Sequence, residues 1–204
     1  ACPAEIDVPR YVRFIGQKDY AAATAVIREK VPFPAVLGYV CNHPCEIACR
    51  RSLVNQAISI RDLKRYAVGR DEQRLWERNR NKKPSTGKKI AVVGSGPAGL
   101  TAAYYLSNQG HAVTVFESLP SAGGMMRYGI PEYRLPRNIL DQEIASIEEM
   151  GVEIMVNTPI ESMEQLFENG FDAVLLAVGM HDGQKLPIEG ADSEGVFTGI
   201  EFMR

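Results

Sequence analysis

The sequence predicts a small all-α helical domain over residues 1–84, followed by an α/β domain over residues 85–204. Three observations carry this reading. The 204 residues sum to a charge of −2, yet residues 1–84 hold 16 Lys+Arg against 9 Asp+Glu while residues 85–204 hold 7 against 16. The hydrophobic period is helical in the first part and becomes short apolar runs alternating with helices in the second. Between them, Arg78-Asn79-Arg80-Asn81-Lys82-Lys83-Pro84-Ser85-Thr86-Gly87 is polar, lacks any apolar period, and holds the residue types that punctuate loops. A composition of 45% hydrophobic and 24% charged residues is that of a globular protein. No apolar run reaches the roughly 18 residues of a membrane span. The start, Ala1-Cys2-Pro3-Ala4-Glu5-Ile6-Asp7, has no basic or apolar region of a signal peptide, so a cytoplasmic location is expected. It also lacks an initiator Met, so an upstream start is expected.

In the first part, Val8, Tyr11, Val12 and Ile15 share one helical face, with Asp7 as N-cap and Pro9 in the first turn. A second helix is expected from Asp19 to Lys30, stopped by Pro32 and Pro34. A third should begin near His43-Pro44 and carry Cys45 and Cys49. A fourth carries Ile60, Leu63 and Ala67 and is expected to reach Trp76. In the second part, Lys89–Val93 reads as a buried parallel strand and Pro97–Gln109 as an Ala/Leu-rich helix. Ala112–Phe116 is the next strand. Further strands are expected near Val152–Val156 and Ala173–Leu176, with helices around Ile139–Met150 and Ser162–Glu168. Strands and helices alternating at these lengths build a parallel sheet.

Gly94-Ser95-Gly96-Pro97-Ala98-Gly99 is G-x-G-x-x-G, placed after a strand and opening a helix, with Glu117 closing the next strand. Gly94 permits a tight turn, Gly96 lets the backbone approach a pyrophosphate, and Gly99 lets helix and strand pack closely. The helix N-terminus offers free N–H groups and partial positive charge to phosphates. Glu117 is expected to accept hydrogen bonds from ribose hydroxyls, and an acid there disfavours NADP at this site. NAD and FAD both remain; the second glycine pair, Gly123-Gly124, favours the longer FAD.

The only cysteines are Cys2, Cys41, Cys45 and Cys49, the last three spaced C-x3-C-x3-C. Without a secretion signal, metal binding outranks disulfides. Four thiolates suit zinc or a [4Fe–4S] cluster, and the distant Cys2 fits the paired short spacings of structural zinc poorly. The basic run from Arg61 to Lys89 has no aromatic interleaving or reading motif, so no nucleic-acid partner is expected.

Val92-Val93-Gly94-Ser95-Gly96-Pro97-Ala98-Gly99-Leu100, Val113-Thr114-Val115-Phe116-Glu117, Gly123-Gly124 and Tyr128-Gly129-Ile130-Pro131 resemble the flavoprotein module of the glutamate synthase small subunit and of dihydropyrimidine dehydrogenase. Phe171–Gly179 resembles the strand that returns to the flavin. The resemblance implies an incomplete Rossmann-like FAD-binding domain, with FAD near Gly94, Ser95, Gly96, Pro97, Ala98, Gly99, Glu117, Gly124, Met125 and Gly179. Arg134 is implied as a further flavin contact. The same families carry a ferredoxin-type helical domain in front, resembling Ala1-Cys2-Pro3, Val40-Cys41, Cys45 and Cys49-Arg50. There Cys2, Cys41 and Cys45 match ligands of one cluster, and Cys49 a ligand of another shared with upstream cysteines. In this chain, Cys2, Cys41, Cys45 and Cys49 could instead hold one cluster together, or hold none until the upstream part is supplied. Where the family places Gln or Glu in the long helix, this sequence has Lys64, which cannot ligate iron.

No second G-x-G-x-x-G and no Gly-Asp dipeptide occur, although the family uses both, for NAD(P)H and for closing the flavin site. The expectation is therefore an N-terminal portion of an oxidoreductase. In the intact protein NAD(P)H reduces FAD by hydride transfer, and electrons pass through a [4Fe–4S] cluster to a catalytic or electron-accepting partner subunit or domain. The competing reading is a non-catalytic dinucleotide-binding and docking module.

Overall fold

The structure is a computed structural model that describes residues 1–71, 74–79 and 82–203. The chain forms two compact units: Ala1–Lys82 with Asn138–Glu143, and Lys83–Arg137 with Ile144–Arg204.

In the first unit, α1 (Val8–Gly16) and α2 (Tyr20–Arg28) start on aspartate caps. Asp7 accepts from the Arg10 N–H at 3.1 Å and Asp19 from the Ala22 N–H at 3.0 Å. α3 (Pro34–Val40) was not expected: Pro34 sits in its first turn, where a missing N–H costs nothing, so it starts a helix rather than ending one. α4 (Pro44–Ile47) is a single turn, and Cys49 lies beyond it as cap of a 3₁₀ turn over Arg50–Leu53. Cys45 and Cys49 therefore do not lie on one helix, contrary to expectation. α5 (Ile60–Arg70) stops short of Trp76, because the Asp71 carboxylate accepts from the N–H groups of Leu75 (2.8 Å) and Trp76 (3.2 Å) and opens a separate 3₁₀ turn. The core joins Tyr11, Ala23, Val26, Ile27, Ile60 and Ala67, each large side chain contributing about 1.5–3 kcal/mol of burial. Tyr11 spans this core and donates its hydroxyl to Ile60 O at 3.1 Å.

Glu143 belongs to the same unit and is buried. It accepts from Arg28 Nη2 (3.0 Å) and from the N–H groups of Ala35 (3.0 Å) and Val36 (2.9 Å) at the start of α3. Arg28 also donates to Pro32 O and lies over the Trp76 ring at 4.1 Å. Burial pushes the Glu143 carboxyl up to about 7, against the opposing pull of Arg28 and the two N–H donors.

The second unit contains β1 (Lys89–Val93), α6 (Pro97–Asn108), β2 (Ala112–Phe116), α7 (Met125–Tyr128), the helix α8 (Arg137–Glu148) whose latter part belongs here, β3 (Glu153–Met155), α9 (Met163–Glu168), β4 (Ala173–Leu176) and α10 (Gly199–Met203). The short α7 and α10 had no periodic signal in the sequence. The sheet is parallel in the order β3-β2-β1-β4, with Val92 paired to Val115 on one side and Leu175 on the other. β1 is central and β4 lies beside it after a crossover, which makes the β1/β4 boundary the topological switch point where such sheets bind ligands.

Candidate functional site

The carboxyl ends of β1, β2 and β4 open into a cleft of about 370 Å³, within the usual range of small-molecule sites. Gly94, Ser95, Gly96, Pro97 and Ala98 line it from the β1–α6 turn, and Glu117, Gly124, Met125 and Gly179 line it from elsewhere. Gly99 is buried in the first turn of α6 behind the cleft, and Arg134 is exposed outside it. The sequence did not single out Ser118, Thr158, Ile160 or His181, which also line the cleft. No motif marks them, because β2, β3 and β4 bring them together only through the sheet.

The turn is built from glycine where it must be. Gly94 has φ +105°, and a Cβ there would lie 2.3 Å from Ala177 O, so only glycine lets β1 and the segment after β4 approach this closely. Gly124 has φ +51° and would bring a Cβ within 2.5 Å of Gly96 Cα. At Gly96 the space is open, with nothing nearer than Gly124 Cα at 3.9 Å from a Cβ. No side chain caps α6, and Gly96, Pro97 and Ala98 at its start line the cleft, a position at which helix N–H groups can serve an anion.

Glu117 is 6% exposed and Ser95 is fully buried. Glu117 Oε2 accepts from the Ser95 N–H (3.0 Å) and hydroxyl (2.5 Å), and Oε1 accepts from the Leu119 N–H (2.8 Å) and the Ser118 hydroxyl (3.3 Å). The Ser95 hydroxyl in turn accepts from the Gly123 N–H at 3.2 Å. Burial pushes the Glu117 carboxyl up, but the Ser95 hydroxyl and the Leu119 and Ser95 N–H groups together outweigh it and hold the group below the usual range. It stays ionised at neutral pH. The residue expected to meet ribose hydroxyls thus also ties together the phosphate turn, the end of β2 and the Gly123-Gly124 loop.

In the first unit, Cys2, Cys41 and Cys45 line one cavity with Tyr11, His43, Arg61 and Lys64. Cys41 Sγ accepts from the His43 N–H at 3.3 Å. Burial raises the Cys45 thiol above its ordinary value, and nearby Cys41 adds to it. Cys49 is not among the lining residues; the N–H groups of Ile58 and Arg51 hold its thiol below the ordinary value. Among the described residues, no three His, Cys, Asp or Glu side chains converge to hold a single metal ion. Cys2, Cys41 and Cys45 offer three thiol donors around this cavity, the donor type of an iron–sulfur cluster.

Comparison with known proteins finds matches to both parts of the chain. Residues 1–76 match the family described as dihydropyrimidine dehydrogenase domain II, 4Fe-4S cluster, and residues 92–141 match the NAD(P)-binding Rossmann-like domain family. The chain is 42% identical over 211 residues to the NADPH-Fe(3+) oxidoreductase subunit beta of Geobacter sulfurreducens, covering 100% of this chain and 31% of that protein. It is 38% identical to the NADP(+)-dependent formate dehydrogenase subunit beta of Moorella thermoacetica, covering 100% and 32%. With the glutamate synthase [NADPH] small chain of Bacillus subtilis it shares 35% identity, covering 99% and 41%. Among solved structures, FprA of Mycobacterium tuberculosis in complex with NADPH superposes with a TM-score of 0.52 at 26% identity, covering 59% of this chain and 28% of that one. The chain thus spans about a third of the length of the relatives it matches. The resemblance read from the glycine and cysteine motifs holds. No helix among the described residues is long and apolar enough to cross a membrane.

Proposed function

We propose that this chain, similar along its length to subunits of NADPH-dependent oxidoreductases, is the flavin-holding and iron–sulfur part of such an enzyme. The observation that carries the reading is the pairing of two sites in one chain: a dinucleotide cleft at the β1/β4 switch point and a cavity faced by three thiols. FAD, when bound, supplies the step between a two-electron nicotinamide donor and a one-electron [4Fe–4S] acceptor.

The residues of the chain hold and orient. The N–H groups at the start of α6 receive the pyrophosphate over the open face of Gly96. Glu117, kept ionised by Ser95 and Leu119, presents its carboxylate at the ribose end. Gly124, packed against Gly96 at the start of α6, lines the cleft with Met125, and Gly179 lines it from the segment after β4. Cys2, Cys41 and Cys45 hold the cluster; Cys49, outside their cavity, is proposed for a second cluster or an accessory role. In the intact protein NAD(P)H is the reductant and a partner subunit or domain the acceptor. The names of two relatives, NADPH-Fe(3+) oxidoreductase subunit beta and glutamate synthase [NADPH] small chain, support both assignments.

The test is an anaerobic reductive titration of the chain reconstituted with iron, sulfide and FAD. The reading expects a flavin absorption that bleaches and a paramagnetic signal from a reduced cluster. Failure of both centres to form would overturn it.

A further inference from the structure

The cavity that gathers Cys2, Cys41 and Cys45 has a cationic wall. Arg61 and Lys64, three residues apart on α5, both line it, and that spacing puts them on one helix face. Lys64 is only 6% exposed. No ion pair among the described residues engages its ammonium, and its charge acts only through space on buried Glu143. Glu143 is already served by Arg28 and two backbone N–H groups. The aliphatic stem is buried while the ammonium is not among the fully enclosed polar atoms, so the charged end can face a negative charge in the cavity. The thiols across the cavity supply that charge when they bind iron as thiolates.

We propose that Lys64 is the counter-charge of the cluster site, holding the reduced cluster in place electrostatically and setting its reduction potential. The inference rests on the cluster reading above. A [4Fe–4S] core with three thiolates is anionic, and reduction adds one electron with no bond made or broken. The extra negative charge develops beside a fixed ammonium in a partly dehydrated cavity, where Coulomb interactions are stronger than in water. Lys64 therefore favours the reduced state over the oxidised one. Arg61 lines the same wall, but its guanidinium is partly neutralised by Asp62 at 3.5 Å while donating to Cys41 O at 3.4 Å, which leaves Lys64 as the main counter-charge. Lys64 acts as a positioning and tuning residue, without bonding to iron.

The experiment is a potentiometric titration of the iron- and sulfide-reconstituted full chain, with dithionite as reductant and the paramagnetic signal as readout. Wild type is compared with Lys64→Met and Lys64→Arg, and iron content is measured on each. At the wild-type midpoint, Lys64→Met should lower the ratio of reduced to oxidised cluster about tenfold, a negative shift of about 59 mV for one electron, while Lys64→Arg stays within about twofold. Loss of iron from the Met variant with retention in the Arg variant also supports the proposal, since the charge is then needed to hold the cluster. A Met variant with full iron and the wild-type midpoint overturns it, and so does loss of iron from both variants. A wild-type chain that binds no iron overturns the cluster reading itself, which is a separate result.

Discussion

The Ser95 hydroxyl donates to Glu117 Oε2 at 2.5 Å while its N–H reaches the same oxygen at 3.0 Å. A residue from the middle of the glycine turn thereby fixes the acid at the end of β2, and the Gly123 N–H closes the arrangement from a third segment. This buried network ties three segments of the cleft wall to one another.

The first prediction follows from that network. Glu117→Ala removes hydrogen bonds to a charged group worth roughly 1.5–3 kcal/mol, a ten- to hundredfold loss in FAD affinity. Ser95→Ala leaves the acid in place but frees its direction, and should cost about tenfold. Because both act through one contact, the double variant should lose less than the sum of the two. Flavin-fluorescence titrations of the four proteins measure this, and strict additivity would separate the residues.

Two glycines of the same turn should fail in opposite ways. Gly96→Ala has room in the protein, its Cβ meeting only Gly124 Cα at 3.9 Å, so it should fold normally and lose FAD affinity. Gly94→Ala forces a Cβ to 2.3 Å from Ala177 O at a positive φ and should destabilise the chain by about 2 kcal/mol or more. Urea unfolding alongside flavin titration tells the two apart.

Much of this was legible in the sequence. The four strands and the glycine turn followed from apolar runs and one motif, because a buried parallel strand leaves few alternatives. α3 was missed because Pro32 and Pro34 read as breakers, although a proline in a first turn starts a helix as readily. α5 was drawn too long because the Asp71 cap acts through backbone N–H groups that carry no periodic signal. Arg134 was assigned from resemblance alone, and the structure leaves it exposed outside the cleft. Glu143 was not singled out, since one acid on an amphipathic helix gives no sign that Arg28 and the start of α3 will enclose it.

Glu143 gives a pH prediction with a definite sign. Its carboxyl is raised from the ordinary 4.5 to about 7, so its contribution to stability is fully present below about pH 4.5 and is lost as pH rises through 7. Unfolding by urea at pH 5.5 and 8.0 should show wild type losing more stability over this interval than Glu143→Gln. Equal losses would mean that the buried acid does not titrate there.

The chain as it stands should not turn over NAD(P)H. Hydride transfer needs nicotinamide and flavin in near contact, where about 1 Å of misplacement can cost a hundredfold, and residues 1–204 hold one G-x-G-x-x-G, already committed to the cleft. Dye reduction by NADH or NADPH with the chain and FAD should equal that of free FAD. A clear excess would require a nicotinamide site within these residues.

The most direct test of the whole account is the metal, sulfide and flavin content of the anaerobically prepared chain, beside its Cys45→Ala variant. The account predicts iron and acid-labile sulfide in equal amounts together with FAD. It also predicts that Cys45→Ala, which opens the three-thiol cavity, loses most of the iron while keeping the flavin. Stoichiometric zinc without iron, or iron content unchanged in Cys45→Ala, would contradict it.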